Sequence, residues 1–220
     1  LAETAAADDR VRIVRQESAP FDAEGFRLLL PRFMEEIVAE ISRLARTRPD
    51  INHYSGISVR MSIHNRENLI SNAFRRAIRL GEAEVVPRIS DLAHLASSMK
   101  GKIEWNFADE TGEPEKINLL LKDAAGLVFK KYFPREPFAD FLKAFANGDG
   151  IDVSEADASS AYLDRIIAYP QLAEKAAELA EGNSPALLAS AAEFILEGLA
   201  VGGKIKKEVR ETGAAYSSRP

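Results

Sequence analysis

The chain has no cysteine, a single tryptophan, three methionines and three histidines. Without thiols there is no disulfide, no thiolate metal site and no cysteine nucleophile. His53, His64 and His94 stand much further apart than the ligands of a zinc site built from one segment. No apolar run approaches the roughly 20 residues that a membrane-crossing helix needs. The opening Leu1-Ala2-Glu3-Thr4 also lacks the charged-then-apolar pattern of a secretory signal. The expectation is a cytoplasmic protein with no membrane partner. Basic charge is not in excess either. With 29 basic against 34 acidic residues and a net charge of −5, the balance argues against nucleic acid as the main partner. No Ser/His/Asp arrangement with recognisable context is present, and no internal repeat.

What the sequence does have is helical periodicity, and the fold class it predicts is mainly α. Phe33, Ile37, Ile41 and Leu44 recur at spacings of three and four, which is one buried stripe. That helix is expected to follow Ala23–Leu30 across a bend at Pro31 and to end before Pro49, because the residue preceding proline avoids the helical region. Ile63, Ile70, Ala73, Phe74 and Ala77 mark a second long helix stopping at Gly81, and a third is expected over Arg88–Ser98. Gly101–Trp105 reads as a short strand before a polar stretch, Asn106–Pro114. Beyond it, helices are expected over Glu115–Phe133, Pro137–Ala146, Glu155–Ala168 and Gln171–Glu181. The last starts at Ser184 as N-cap, with Pro185 in the first helical position, where its missing N–H costs nothing. Ile151–Val153 reads as a brief strand or the approach to a helix, with Ser154 and Asp157 as capping partners. Residues 1–20 are expected to be partly extended or frayed, and Glu211–Pro220 to be loose. The organisation that follows is a connector over 1–32, a helical subdomain over 33–105 and a helical C-terminal domain over 106–220.

The candidate site is Gly56-Ile57-Ser58-Val59-Arg60. A helix start presents unpaired N–H groups and partial positive charge, so an arginine in the first turn is disfavoured until an anion arrives. Gly56 allows a tight entry, Ser58 is a good N-cap, and Arg60 offers a phosphate a charge-assisted contact. The bland alternative is an exposed arginine at a helix start. His64, one turn on, flanks the same place but reads more simply as a solvent-facing histidine. Two further patterns are decoys. Gly198-Leu199-Ala200-Val201-Gly202-Gly203-Lys204 fits G-x-x-x-x-G-K, yet Ile205 replaces the metal-binding hydroxyl and the run follows a helical stretch rather than a strand. It is better explained as a helix C-terminus capped by glycine. Asn147-Gly148-Asp149-Gly150 resembles a calcium loop, but the first and last ligand positions fall on Phe145 and Ala156. Arg75, Arg76 and Arg79 form a basic stripe expected to face solvent or another subunit.

From Phe33 to Leu92 the order of features resembles the lid subdomain of AAA+ ATPases of the MoxR and magnesium-chelatase I-subunit group. A helix precedes Gly56-Ile57-Ser58-Val59-Arg60, which matches the sensor 2 motif. A long helix follows, then Glu84-Val85-Val86-Pro87-Arg88-Ile89-Ser90-Asp91-Leu92 at the family's link and third helix. Phe194-Ile195-Leu196-Glu197-Gly198-Leu199 is similar to the C-terminal domain of that group. The resemblance implies an AAA+ lid followed by a helical C-terminal domain, with Gly56, Ser58 and Arg60 at nucleotide and Arg60 acting on the γ-phosphate. It implies ATP hydrolysis coupled to partner remodelling or metal insertion. It also implies a homo-oligomeric ring and a von Willebrand A-type partner. Walker A and B motifs are absent from these residues, and Leu1 stands where an initiator methionine would. The expectation is therefore that ATP and magnesium bind a core upstream, in the intact protein only, and that this stretch alone is not catalytic. The alternative is a non-enzymatic helical module for protein–protein interaction.

Overall fold

The expected stripe of Phe33, Ile37 and Ile41 is buried on α2 (Arg32–Thr47), which Pro31 precedes in an extended conformation. Arg48, extended as its neighbour Pro49 demands, closes α2 by donating its N–H to Leu44 O at 2.9 Å. The computed structural model describes residues 2–18, 20–52, 59–106, 112–148 and 150–219. Over these residues the protein is mainly helical, and among them no helix is long and apolar enough to cross a membrane.

Two N-terminal expectations fail. Residues expected to be extended or frayed form α1 (Ala2–Glu17), whose Val14 is buried and whose Arg15 pairs with the buried Glu35 of α2. The helix expected over Ala23–Leu30 does not form. Gly25 turns the chain with φ of +81°, a conformation that glycine adopts without a Cβ penalty. Arg27–Leu28 then becomes β1, running parallel to β2 (Glu84–Val85). Phe21, Phe26, Leu28 and Phe74 gather around Ala73, Ala77 and Val85 beneath this pair.

α3 (Val59–Leu80) is the long second helix and ends at Gly81, with φ of +67°. The third helix arrives in two pieces, a 3-10 helix over Ile89–His94 and α4 (Leu95–Met99). Gly101–Trp105 contributes a single bridge, Trp105 to Ile51, in place of the expected strand.

The second half is built from α5 (Glu113–Tyr132), α6 (Ala139–Ala146), β3 (Ile151–Ser154), α7 (Ser159–Ile167), α8 (Pro170–Leu179) and α9 (Pro185–Val201). Ser184 caps α9 as expected, its hydroxyl accepting from Leu187 N at 3.2 Å. Ser154 is no helix cap: it ends β3, and α7 begins later behind Ala158. The tail expected to be loose pairs instead. β4 (Ile205–Arg210) and β5 (Gly213–Ser218) form a hairpin to which β3 adds, giving an antiparallel order β3-β5-β4. Ala214 and Tyr216, two apart, are buried, the period expected of a half-covered strand.

One hydrophobic core runs from Phe33 to Tyr216 and includes residues on both sides of position 105. Phe33 of α2 stacks on Phe194 of α9 at 4.6 Å, and Phe129 of α5 meets Phe194 edge-on at 6.0 Å. α5 and α9 approach closely because Gly198 has no Cβ where the Phe129 ring lies.

Candidate functional site

α3 is held by its inward face. Met61, Ser62, Asn65 and Leu69 are buried, and the Ser62 hydroxyl donates to Ser42 Oγ of α2 at 2.6 Å. Arg60, in the first turn, is exposed. That turn contains no acidic residue, and the positive end of a helix disfavours a cation. Gly56 and Ser58 lie outside the described residues, as does His53. His64 faces solvent and sits 3.6 Å from Glu67, its neighbour one turn on. His94 is 2.9 Å from Glu155. Among the described residues no cluster of His, Asp or Glu suits a metal ion.

The other end of α3 differs. The basic stripe expected to face outward is split. Arg75 is exposed and reaches Asn72 on its own helix, while Arg79 donates to Glu155 O at 2.6 Å. Arg76 is buried. Its Nη2 donates to Val86 O at 2.6 Å and to the Asp91 carboxylate at 2.9 Å. Burial lowers the Arg76 pKa, but the charge and hydrogen bond of Asp91 outweigh it and the net shift is upward. Asp91 also accepts from Arg88 N at 2.8 Å, which closes the start of the 3-10 helix. Arg88 is buried too, and there desolvation wins: its pKa is lowered. Its guanidinium donates to Ser159 Oγ at 2.7 Å and to Asp157 O at 3.2 Å, and lies 5.1 Å from the Tyr162 ring centre.

From the opposite side α9 reaches into the same seam. Ser190 donates to Pro87 O at 2.6 Å, and Glu193 accepts from Ser90 N at 3.1 Å. The link after β2 is thus tied to α3, α7 and α9 at once. These residues were not legible as a group. The available signal was Ser190, Glu193 and Glu197 inside an otherwise apolar run, at spacings that share a helix face.

The glycine–lysine run is a helix terminus. Lys204 N donates to Leu199 O at 2.9 Å and Gly203 N to Ala200 O at 3.0 Å, with Gly203 at φ of +74°. This is the Schellman closure. It occupies the N–H groups that a phosphate cradle would need, and Lys204 pairs with Glu136 at 3.2 Å. In the calcium-loop decoy, Asp149 is outside the described residues. No protein-family model, curated protein or solved structure matches this chain.

Proposed function

We propose that this chain is the lid and C-terminal portion of a magnesium-chelatase-like AAA+ ATPase, which couples ATP hydrolysis to remodelling of a partner or to metal insertion. The observation that carries the reading is the position of Arg60: exposed, in the first turn of a helix 22 residues long that has no acid in that turn. The succession α2, α3, a stop at Gly81, an extended link containing Pro87 and a helix entered through Asp91 supports it. In this reading Arg60 contacts the γ-phosphate of ATP, with Gly56 and Ser58 shaping the backbone around it. An arginine there stabilises charge on the phosphoryl group as it transfers. ATP and magnesium are held by a nucleotide-binding core that these residues do not supply. A ring of copies, a von Willebrand A-type partner and cytoplasmic residence belong to the same reading.

A non-catalytic helical interaction module is the competing reading. It is favoured by the closure of Gly198–Lys204 as a helix end, which removes the one phosphate-loop pattern in the sequence. ATP turnover by the full-length protein, with and without Arg60→Ala, separates the two. The expected result is turnover that falls at least tenfold in the variant while its unfolding midpoint stays put. Absence of turnover in the full-length protein, or turnover indifferent to Arg60→Ala, overturns the ATPase assignment of Arg60.

A further inference from the structure

A cavity of about 260 Å³ opens between the 3-10 helix, α5, α9 and the β3-β5-β4 sheet. Much of its wall is apolar, from Ile89, Leu92, Leu121, Val209 and Ala214. Glu193 and Glu197, on successive turns of α9, also line it, and both are buried.

The two carboxylates are not equivalent. Glu197 Oε2 accepts from Tyr216 at 2.8 Å and from Lys207 Nζ at 2.6 Å, so its charge is matched. Glu193, 2% exposed, accepts from Ser90 N on Oε1 and has a long 3.5 Å contact with the Ser90 hydroxyl on Oε2. Among the described residues no cation stands within ion-pairing distance of it. The nearby cations are committed elsewhere: Arg76 to Asp91, Arg88 to α7 and Lys207 to Glu197. A charged carboxylate in an apolar wall without a countercharge is costly. Burial accordingly pushes Glu193 up to about 7.

We propose that this cavity binds a small organic molecule carrying an ammonium group on an apolar body, with the ammonium seated against Glu193 Oε2. Such a ligand brings the countercharge that the fold does not place there, and its body covers Ile89, Leu92, Leu121 and Val209. An anionic ligand meets two buried carboxylates, and of the three cations lining the cavity, Lys122, Lys207 and Arg210, Lys207 is held by Glu197 and Arg210 by Asp152. A neutral one leaves Glu193 unmatched. The proposal is independent of the ATPase reading.

Glu193 is faced by Arg88 and Asp91 from the link and 3-10 helix, Arg76 from α3 and Tyr162 from α7. Glu197 adjoins it on α9, and Lys207 and Tyr216 face it from the sheet. His94 lies 2.9 Å from Glu155, which lines the cavity, and the substitution and the pH series are read together. The test is amide NMR of the 220-residue chain titrated with n-butylammonium, n-butanol and butyrate at pH 8 and pH 5.5.

The expected result is saturable shifts at the Ser90 and Ala214 amides with n-butylammonium alone. The affinity should be at least tenfold weaker at pH 5.5 and in Glu193→Gln, whose side-chain carbonyl still accepts from Ser90 N. The proposal is overturned by absence of saturation with n-butylammonium at pH 8, by equal binding of n-butanol, or by undiminished binding in a folded Glu193→Gln. Should that variant not fold, equal affinity at the two pH values in the unsubstituted chain overturns it.

Discussion

Arg60 and Arg76 sit at opposite ends of one helix and do opposite things. Arg76 is buried between the Asp91 carboxylate and Val86 O, so its charge is spent inside the fold, fixing the link after β2 against α3. Arg60 is exposed at the helix end whose field disfavours a cation. An arginine that the fold consumes and one that it presents are the same letter in the sequence. What distinguishes them is burial, and for Arg76 the Asp91 carboxylate and Val86 O that come within reach once the chain has folded.

The largest expected break in this comparison comes at the buried end. Arg76→Ala strands Asp91 as an uncompensated buried charge, a loss of about 3–5 kcal/mol, measured by urea unfolding; a loss below about 1 kcal/mol would show the pair to be solvated. Glu193 sharpens the same point through pH. Its folded pKa of about 7 lies above the ordinary carboxylate value, so the folded state binds its proton more tightly than the unfolded chain. Its contribution to stability is therefore present below the ordinary carboxylate range and lost as pH rises to about 7. Glu193→Gln should remove that decline, worth about 2–3 kcal/mol across the window, in denaturation series at pH 4.5 and pH 8. Gly198→Ala tests close packing without charge. A methyl placed against the Phe129 ring should cost about 1–3 kcal/mol, read as a lower denaturation midpoint. Ser184→Ala, which removes the cap bond to Leu187 N, should cost about 1 kcal/mol. Smallest of all, Arg60→Ala should change stability by less than about 0.5 kcal/mol, because the side chain is exposed.

The helices with strong stripes were legible in the sequence. α2, α3, α5 and α6 follow from three-four spacing, and the start of α9 at Ser184 and the glycine closure after Val201 follow from residue type alone. The misses share a cause: partners distant in sequence. β1 exists because Arg27–Leu28 meets Glu84–Val85, and β5 because Ala214 and Tyr216 find β3 and β4. Neither run is hydrophobic enough to announce a strand. The division of the basic stripe was hidden for the same reason. Arg75, Arg76 and Arg79 look alike until Asp91 and Val86 O arrive beside one of them. At the candidate site the sequence supplied Arg60 and its helix. It did not reveal Glu193, whose unusual environment depends on a sheet formed by the last residues of the chain.

The most direct test of the reading of Arg60 is the affinity of the full-length protein for ATP and for ADP, measured in the unsubstituted form and in Arg60→Ala. A γ-phosphate contact is present with one nucleotide and absent with the other. The expected result is that ATP binding weakens by about 10- to 100-fold, the range of a charged hydrogen bond, while ADP binding is unchanged. Equal weakening for both nucleotides, or none for either, contradicts a γ-phosphate role for Arg60.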